Sequence, residues 1–451
     1  MKEKFTSYFM TTGFIGLWIL IAGKNEVTKF YSEQSNSPVQ QIASVTQNDK
    51  EWRSAVRKSL MVPDKLPPLD VKVHSRFEPA AGVIAERVSY GTQFGMRIPA
   101  IVYFPKEHKT TKLPAMIVVN GHGGDKYSWY AIWSGILYAR AGAVVLTFDP
   151  IGEGERNKDH KSGTRAHDWL EPIKASYHTE LARRQGGLII SDVMQAVSYL
   201  SGRPDVDSDR IGAMGYSMGS FIVAMTGAVE PRLHACVIAG GGGFKIPSGE
   251  WKGLSGSKPS CIQGLPYQSL RFLKDPPAVI YALNAERGAT LVVNGELNWD
   301  GTPRKNPMEL QVIRERTIKL RGTSNSIFDV SQLEPGAIHR PYFVNRDVAL
   351  WLHHQMQFPN WTEAEIQVMP KTYIRDWAQK ENVEIDSSYT TEGLESGMHA
   401  LGANIPGLTR EQLSVFSPEE WKKQKDQMIL ESWVDRTLSQ MGVTLPTNAK
   451  K

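Results

Sequence analysis

The run Gly215-Tyr216-Ser217-Met218-Gly219 places a serine between two glycines at a spacing that suits nucleophilic attack. An apolar strand pattern, Ile211-Gly212-Ala213-Met214, precedes it, and an apolar helical pattern, Phe221-Ile222-Val223-Ala224-Met225, follows. A serine on such a tight strand-to-helix turn needs small neighbours, and the turn lifts its hydroxyl clear of the sheet at a helix N-terminus. Attack on a carbonyl creates an oxyanion, which backbone N–H groups must hold. One donor is expected from Met218. The other is expected from Gly123 or Gly124 in Asn120-Gly121-His122-Gly123-Gly124, where glycine permits close approach and His122 is read as orienting the loop.

These residues need a scaffold that brings distant loops to one edge. Val83–Tyr90 and Arg97–Phe104 read as an antiparallel pair. The short apolar runs at 115–119, 143–148, 211–214, 235–238 and 290–293 read as strands buried on both faces of a parallel sheet. Helical patterns alternate with them, most clearly over 187–201. The expected fold is therefore α/β, a mostly parallel, doubly wound sheet of eight strands, with chemistry at the carboxyl ends of the strands. The loop Asp149-Pro150-Ile151-Gly152-Glu153-Gly154-Glu155-Arg156 leaves that same edge and reads either as pocket wall or as solvated rim.

The chain has 451 residues, 41% apolar and 22% charged, enough for a large catalytic domain with additions. Net charge is +5 without a concentrated basic run, which argues against a nucleic-acid partner. Cys236 and Cys261 form neither a CxxC pair nor a disulfide framework, which excludes a cysteine zinc site, and the sequence holds no HExxH motif or comparable ligand cluster. Lys2 and Lys4 precede a chargeless stretch, Phe5–Gly23, the pattern of a secretory leader or N-terminal anchor. Export to the periplasm or the cell exterior follows as an expectation. Residues 1–23 are read as that leader, 24–50 as a polar linker, 51–358 as the catalytic domain and 359–451 as a helical extension. In the extension, Thr362 with Glu365, Thr409 with Gln412 and Ser417 with Glu420 are capping-box patterns that mark helix starts.

Together, Gly121-His122-Gly123-Gly124, the Asp149–Arg156 loop, Asp209-Arg210-Ile211-Gly212, the Ser217 pentapeptide and the His339 loop resemble the α/β-hydrolase superfamily over roughly residues 75–358. The resemblance is greatest to the branch of acetyl xylan esterases, cephalosporin-C deacetylases and dienelactone hydrolases. A triad in that fold runs in the order serine, acid, histidine. His339, in Glu334–Pro341 after a last strand over 326–330, fits the base, whereas His353 and His354 fall on the next helix and His399 in the extension. The acid should follow the strand at 290–293. There the family pattern puts Asn298, which cannot stabilise imidazolium by charge. Asp300 or Glu296 is left to supply the carboxylate. The resemblance implies ester hydrolysis through an acyl-enzyme, without a metal or organic cofactor, and with a carbohydrate or other small ester as substrate. A serine peptidase, an acyl transferase or an impaired binding protein on the same scaffold are the competing readings, and Asn298 is the feature that favours the last.

Overall fold

A computed structural model of the protein describes residues 47–108, 110–163, 173, 175–242, 262, 264–284, 288–297, 309–321, 328–330, 338–385 and 397–443. The chain divides into two compact units, residues 1–44 and 45–451, and every described residue lies in the second. The expected leader at 1–23 and most of the linker at 24–50 lie outside the described residues. Helix α1, Gln47–Ser59, starts inside the segment read as linker, because Val56 on its inner face is fully buried in the main core.

One sheet organises the domain. Its strands are β1 (Lys72–Ala80), β2 (Val83–Thr92), β3 (Met96–Pro105), β4 (Leu113–Val119), β5 (Val144–Phe148), β6 (Val206–Tyr216), β7 (Leu233–Ala239), β8 (Ala289–Val293) and β9 (Phe328–Val330). Their spatial order is β1-β2-β3-β5-β4-β6-β7-β8-β9. Pairing is antiparallel from β1 to β5 and parallel from there to β9. The expected eight strands are β2–β9, and β1 lengthens the antiparallel edge by one. All residues of β4, β5 and β8 are buried, as continuous apolar runs demand of strands covered on both faces. The order reverses between β4 and β6, the kind of switch point at whose carboxyl edge such sheets bind ligands. Val119, Tyr216, Ala239 and Val293 end their strands on that edge.

Two apolar layers cover the sheet. On one face lie α3 (His178–Ser201), α4 (Met218–Val229) and α6 (Pro276–Asn284); on the other lie α2 (Trp129–Arg140) and α8 (Arg346–Met356). Short α5 (Leu265–Gln268) and α6 lie between β7 and β8, and α7 (Glu309–Arg321) precedes β9. Among the described residues no helix is long and apolar enough to cross a membrane, and no group of His, Cys, Asp and Glu could hold a metal ion.

The C-terminal extension is helical and built into both cores. It carries α9 (Glu363–Val368), α10 (Ile374–Glu381), α11 (Arg410–Leu413), α12 (Pro418–Gln424) and α13 (Leu430–Gln440), with a ribbon of β10 (Lys371–Tyr373) and β11 (His399–Leu401). All three capping boxes form, at Thr362, Thr409 and Ser417. Trp377 of α10 packs edge-on against Trp133 of α2 at 5.3 Å, and the Trp133 indole N–H donates to the Leu401 carbonyl at 2.9 Å. Trp433 of α13 is fully buried in the opposite layer. An extension that shares two cores unfolds with them. Trp377→Ala is therefore expected to lower the stability of the whole domain by ~3–5 kcal/mol in a single denaturation transition. A separate early transition, with the main one unchanged, would show an independently folding appendage.

Candidate active site

Ser217 stands alone between Tyr216, the last residue of β6, and Met218, the first of α4. Its backbone sits at φ 55° and ψ −118°, a conformation in which an L-residue is strained by ~1–3 kcal/mol. The surroundings impose it. The Ser217 N–H donates to the Ala239 carbonyl at 2.9 Å, and its carbonyl accepts the Ser220 N–H at 3.0 Å. The flanking glycines are required by space. A Cβ at Gly215 would lie 2.1 Å from the Gly219 carbonyl oxygen, and one at Gly219 would lie 2.2 Å from that of Val119. The hydroxyl-bearing residue is half-buried at the head of a helix whose own residues are all buried.

His339 reaches this point from the segment after β9 and is also half-buried. Its ring lies 4.9 Å from that of Tyr216, at 40°. The Nδ1–Cε1 edge rests on Gly240, where a Cβ would come within 3.0 Å of Nδ1. Gly240 directly follows β7 and donates its N–H to Val293, the end of β8, at 2.9 Å. The imidazole thus lies between Tyr216, the serine's neighbour, and Gly240 at the end of β7. Glu296 in the loop after β8 is exposed, while Asn298 and Asp300 lie outside the described residues. The other histidines are elsewhere: His354 on α8 pairs with Glu363 at 2.6 Å, burial lowers the pKa of its neighbour His353, and His399 stacks on Tyr373 in the extension.

The glycine loop after β4 passes close to the serine, and the Gly121 N–H donates to the Tyr130 hydroxyl at 3.2 Å. A Cβ on Gly121 would stand 3.0 Å from the Ser217 Cβ, so Gly121 makes the close approach. The Gly124 N–H is engaged in a turn, donating to the Gly121 carbonyl at 3.1 Å. Gly123 adopts φ 70°, and a Cβ there would lie 3.2 Å from the Gly163 carbonyl oxygen. Met218 keeps its expected place as the first residue of the helix behind Ser217. The side chain of His122 is exposed.

A buried charge cluster supports that loop. The Lys126 ammonium is fully buried between Asp149 and Glu155, with Glu155 at 2.8 Å. Burial alone would lower its pKa; the two carboxylates overcome this and hold it well above the ordinary lysine value. Burial pushes the Asp149 carboxyl up to about 6. Next along, Arg156 pairs with Asp192 at 2.5 Å, and Thr92 donates to the same carboxylate at 2.7 Å. Asp149, Glu153, Glu155 and Arg156 are all buried, so the Asp149–Arg156 loop is interior structure and not a solvated rim. Sequence reasoning passed over Lys126 and Asp125, because one lysine and one aspartate beside a glycine turn carry no local sign of burial.

Residues 174–247, which include the elbow, match the prolyl oligopeptidase family. The uncharacterized protein PA2218 of Pseudomonas aeruginosa is 27% identical over 174 residues, 39% of this chain and 38% of the relative. The putative hydrolase YtaP of Bacillus subtilis is 31% identical over 151 residues, 31% of this chain and 47% of the relative. The chain thus matches less than half the length of these curated relatives. Among solved structures, Methylesterase BT1017 superposes with a TM-score of 0.50 at 21% identity, covering 71% of this chain and 67% of its own. An acetyl xylan esterase from Paenibacillus sp. R4 gives 0.46 at 15% identity, covering 71% of this chain and 100% of its own. The strand order above and the match to the methylesterase define the class: the protein has the α/β-hydrolase fold, with Ser217 on the tight turn from β6 to α4.

The strain at Ser217 is measurable. Ser217→Gly removes the Cβ that makes φ 55° costly, against an entropic penalty of ~0.5–1 kcal/mol for glycine. Its thermal midpoint is expected at or above that of the wild type, whereas Gly219→Ala lowers it. A clear loss of stability in Ser217→Gly would show that the elbow is unstrained.

Proposed function

We propose that this protein is a serine hydrolase that cleaves carboxylic esters through an acyl-enzyme. The observation that carries the reading is the strained Ser217 on its elbow, with the His339 ring packed on the adjoining Tyr216 and Gly240. In this scheme His339 takes the serine proton as the hydroxyl attacks the ester carbonyl. The Met218 N–H and a donor from the Gly121–Gly124 loop hold the oxyanion. His339 then returns the proton to the leaving alcohol, and water, deprotonated by the same imidazole, frees the acyl group. A carboxylate from the loop after β8, Asp300 or Glu296, orients the imidazole and balances its charge. The substrate we propose is an acetyl or similar small ester, carried on a carbohydrate. This accords with the resemblance to acetyl xylan esterases in the Gly121–Gly124 and Asp149–Arg156 motifs. Export, through the apolar N-terminal stretch, belongs to the same proposal.

A second reading, a serine peptidase, is favoured by the prolyl oligopeptidase match over residues 174–247. Both use one acyl-enzyme scheme and differ in leaving group, amine against alcohol.

Labelling with a fluorophosphonate tests the common part. Wild-type protein is expected to label stoichiometrically and Ser217→Ala not at all. Persistent labelling of the variant would overturn the assignment of the nucleophile. Turnover of 4-nitrophenyl acetate, compared with peptide 4-nitroanilides, then divides the two readings: esters are expected to be cleaved with far the greater kcat/KM, and a preference for the anilides would favour the peptidase.

A further inference from the structure

Three consecutive residues after the glycine turn are each tied to one short stretch of the C-terminal extension. Asp125 is buried, and its Oδ2 accepts from Arg410 at 3.0 Å and from the Ser162 hydroxyl. Arg410 donates to Ser162 as well, at 2.6 Å, and its guanidinium lies 4.3 Å over the Tyr127 ring. Lys126 donates to Glu155, and the same Glu155 carboxylate accepts the backbone N–H groups of Val415, at 3.0 and 3.1 Å, and of Phe416, at 2.9 Å. The Tyr127 hydroxyl meets Ser414 Oγ at 2.9 Å. The Trp421 indole N–H completes the attachment, donating to the Glu155 carbonyl at 2.9 Å.

We infer that the segment Arg410–Phe416 is a positioning element of the active site, holding the Gly121–Gly124 loop against Ser217. The inference rests on the reading of Ser217 as the nucleophile. Its physical basis is the placement of the contacts. Gly121 touches Ser217, and the turn that fixes Gly121 ends at Gly124, whose N–H closes it. From Asp125 onward the chain is held by the extension on one side and by Asp149 on the other, since the Lys126 backbone N–H donates to Asp149 at 3.2 Å. Without the extension, Glu155 would lose both of its backbone donors and Lys126 would open to water. The loop would then keep its own turn, the Tyr130 hydroxyl on the Gly121 N–H and the Asp149 contacts of Lys126, but it would lose every tie on the side of the extension. An oxyanion donor must be fixed before charge develops, and a displacement of the order of 1 Å costs up to about 100-fold in rate. Arg410, Ser414 and Glu155 therefore act through the loop and need no contact with the substrate.

The test is a split between kcat and KM. Glu155→Gln retains shape and one acceptor but removes the charge that Lys126 faces. The partly exposed pair Arg410→Ala with Tyr127→Phe removes two outer ties and leaves the Lys126–Asp149–Glu155 cluster intact, which keeps the test open if Glu155→Gln does not fold. Each variant is expected to lose about 10- to 100-fold in kcat for 4-nitrophenyl acetate and in the rate of fluorophosphonate labelling, with KM within about twofold. The pKa that governs kcat/KM should stay at its wild-type value, because the His339 environment is unaltered. Arg140→Ala is the control. It cuts the ties from α2 to the Ala403 and Asn404 carbonyls, far from the loop, and should lower the thermal midpoint while leaving kcat unchanged. Wild-type kcat and labelling rate in folded Arg410→Ala/Tyr127→Phe would overturn the inference, as would an equal loss in Arg140→Ala. Failure of the wild type to label at all would instead sink the reading of Ser217.

Discussion

A single strained residue dictates much of this architecture. For Ser217 to hold φ 55°, its N–H must be fixed by the end of β7, its carbonyl by the first turn of α4, and both neighbours two residues away must lack side chains. Those requirements bring β4, β6 and β7 together at their carboxyl ends, because Gly219 backs directly onto the Val119 carbonyl and Ser217 onto Ala239. The parallel strand order and the crossover helices are what allow three strands from separate parts of the chain to end at one point. Strain of a few kcal/mol persists because the rest of the domain, with two buried apolar layers, over-determines it.

The second organising feature is electrostatic. Burying an ammonium and a carboxylate costs several kcal/mol per ion unless each remaining donor and acceptor is satisfied. Around Lys126 the protein meets that condition with two carboxylates, and around Glu155 with two backbone N–H groups from residues about 260 positions later. The arrangement makes the extension part of the domain's interior chemistry as well as of its apolar packing. A hydrophobic cluster of equal volume would supply as much stability. What the charged cluster adds is directional: hydrogen bonds fix a loop in one position, where apolar contacts tolerate sliding.

How much of this could be read from sequence follows from the range of the interactions. The elbow, the buried strands and the three capping boxes are local patterns, complete within a few residues, and each is found where its pattern places it. His339 was singled out by the triad order of the resembling fold, and its ring lies 4.9 Å from that of Tyr216. Strand β1 was missed because its alternation is weak and most of its side chains face solvent. The burial of Glu155 and Arg156 was not legible, since the partners that make it affordable, Val415, Phe416 and Asp192, lie far away in sequence. The glycines after β4 were legible as a loop, but the close approach of Gly121 to Ser217 depends on how the turn closes. That is set by Tyr130 and the strand end rather than by the glycine pattern.

The central claim is that Ser217 carries the acyl group. Rapid quenching of wild-type protein after mixing with 4-nitrophenyl acetate, followed by peptide mass spectrometry, tests it most directly. The account predicts one acetyl group on the peptide that contains Ser217, formed in a burst and lost as turnover proceeds. Turnover with no acylated peptide, or an acetyl group on a different residue that is kinetically competent, would contradict it.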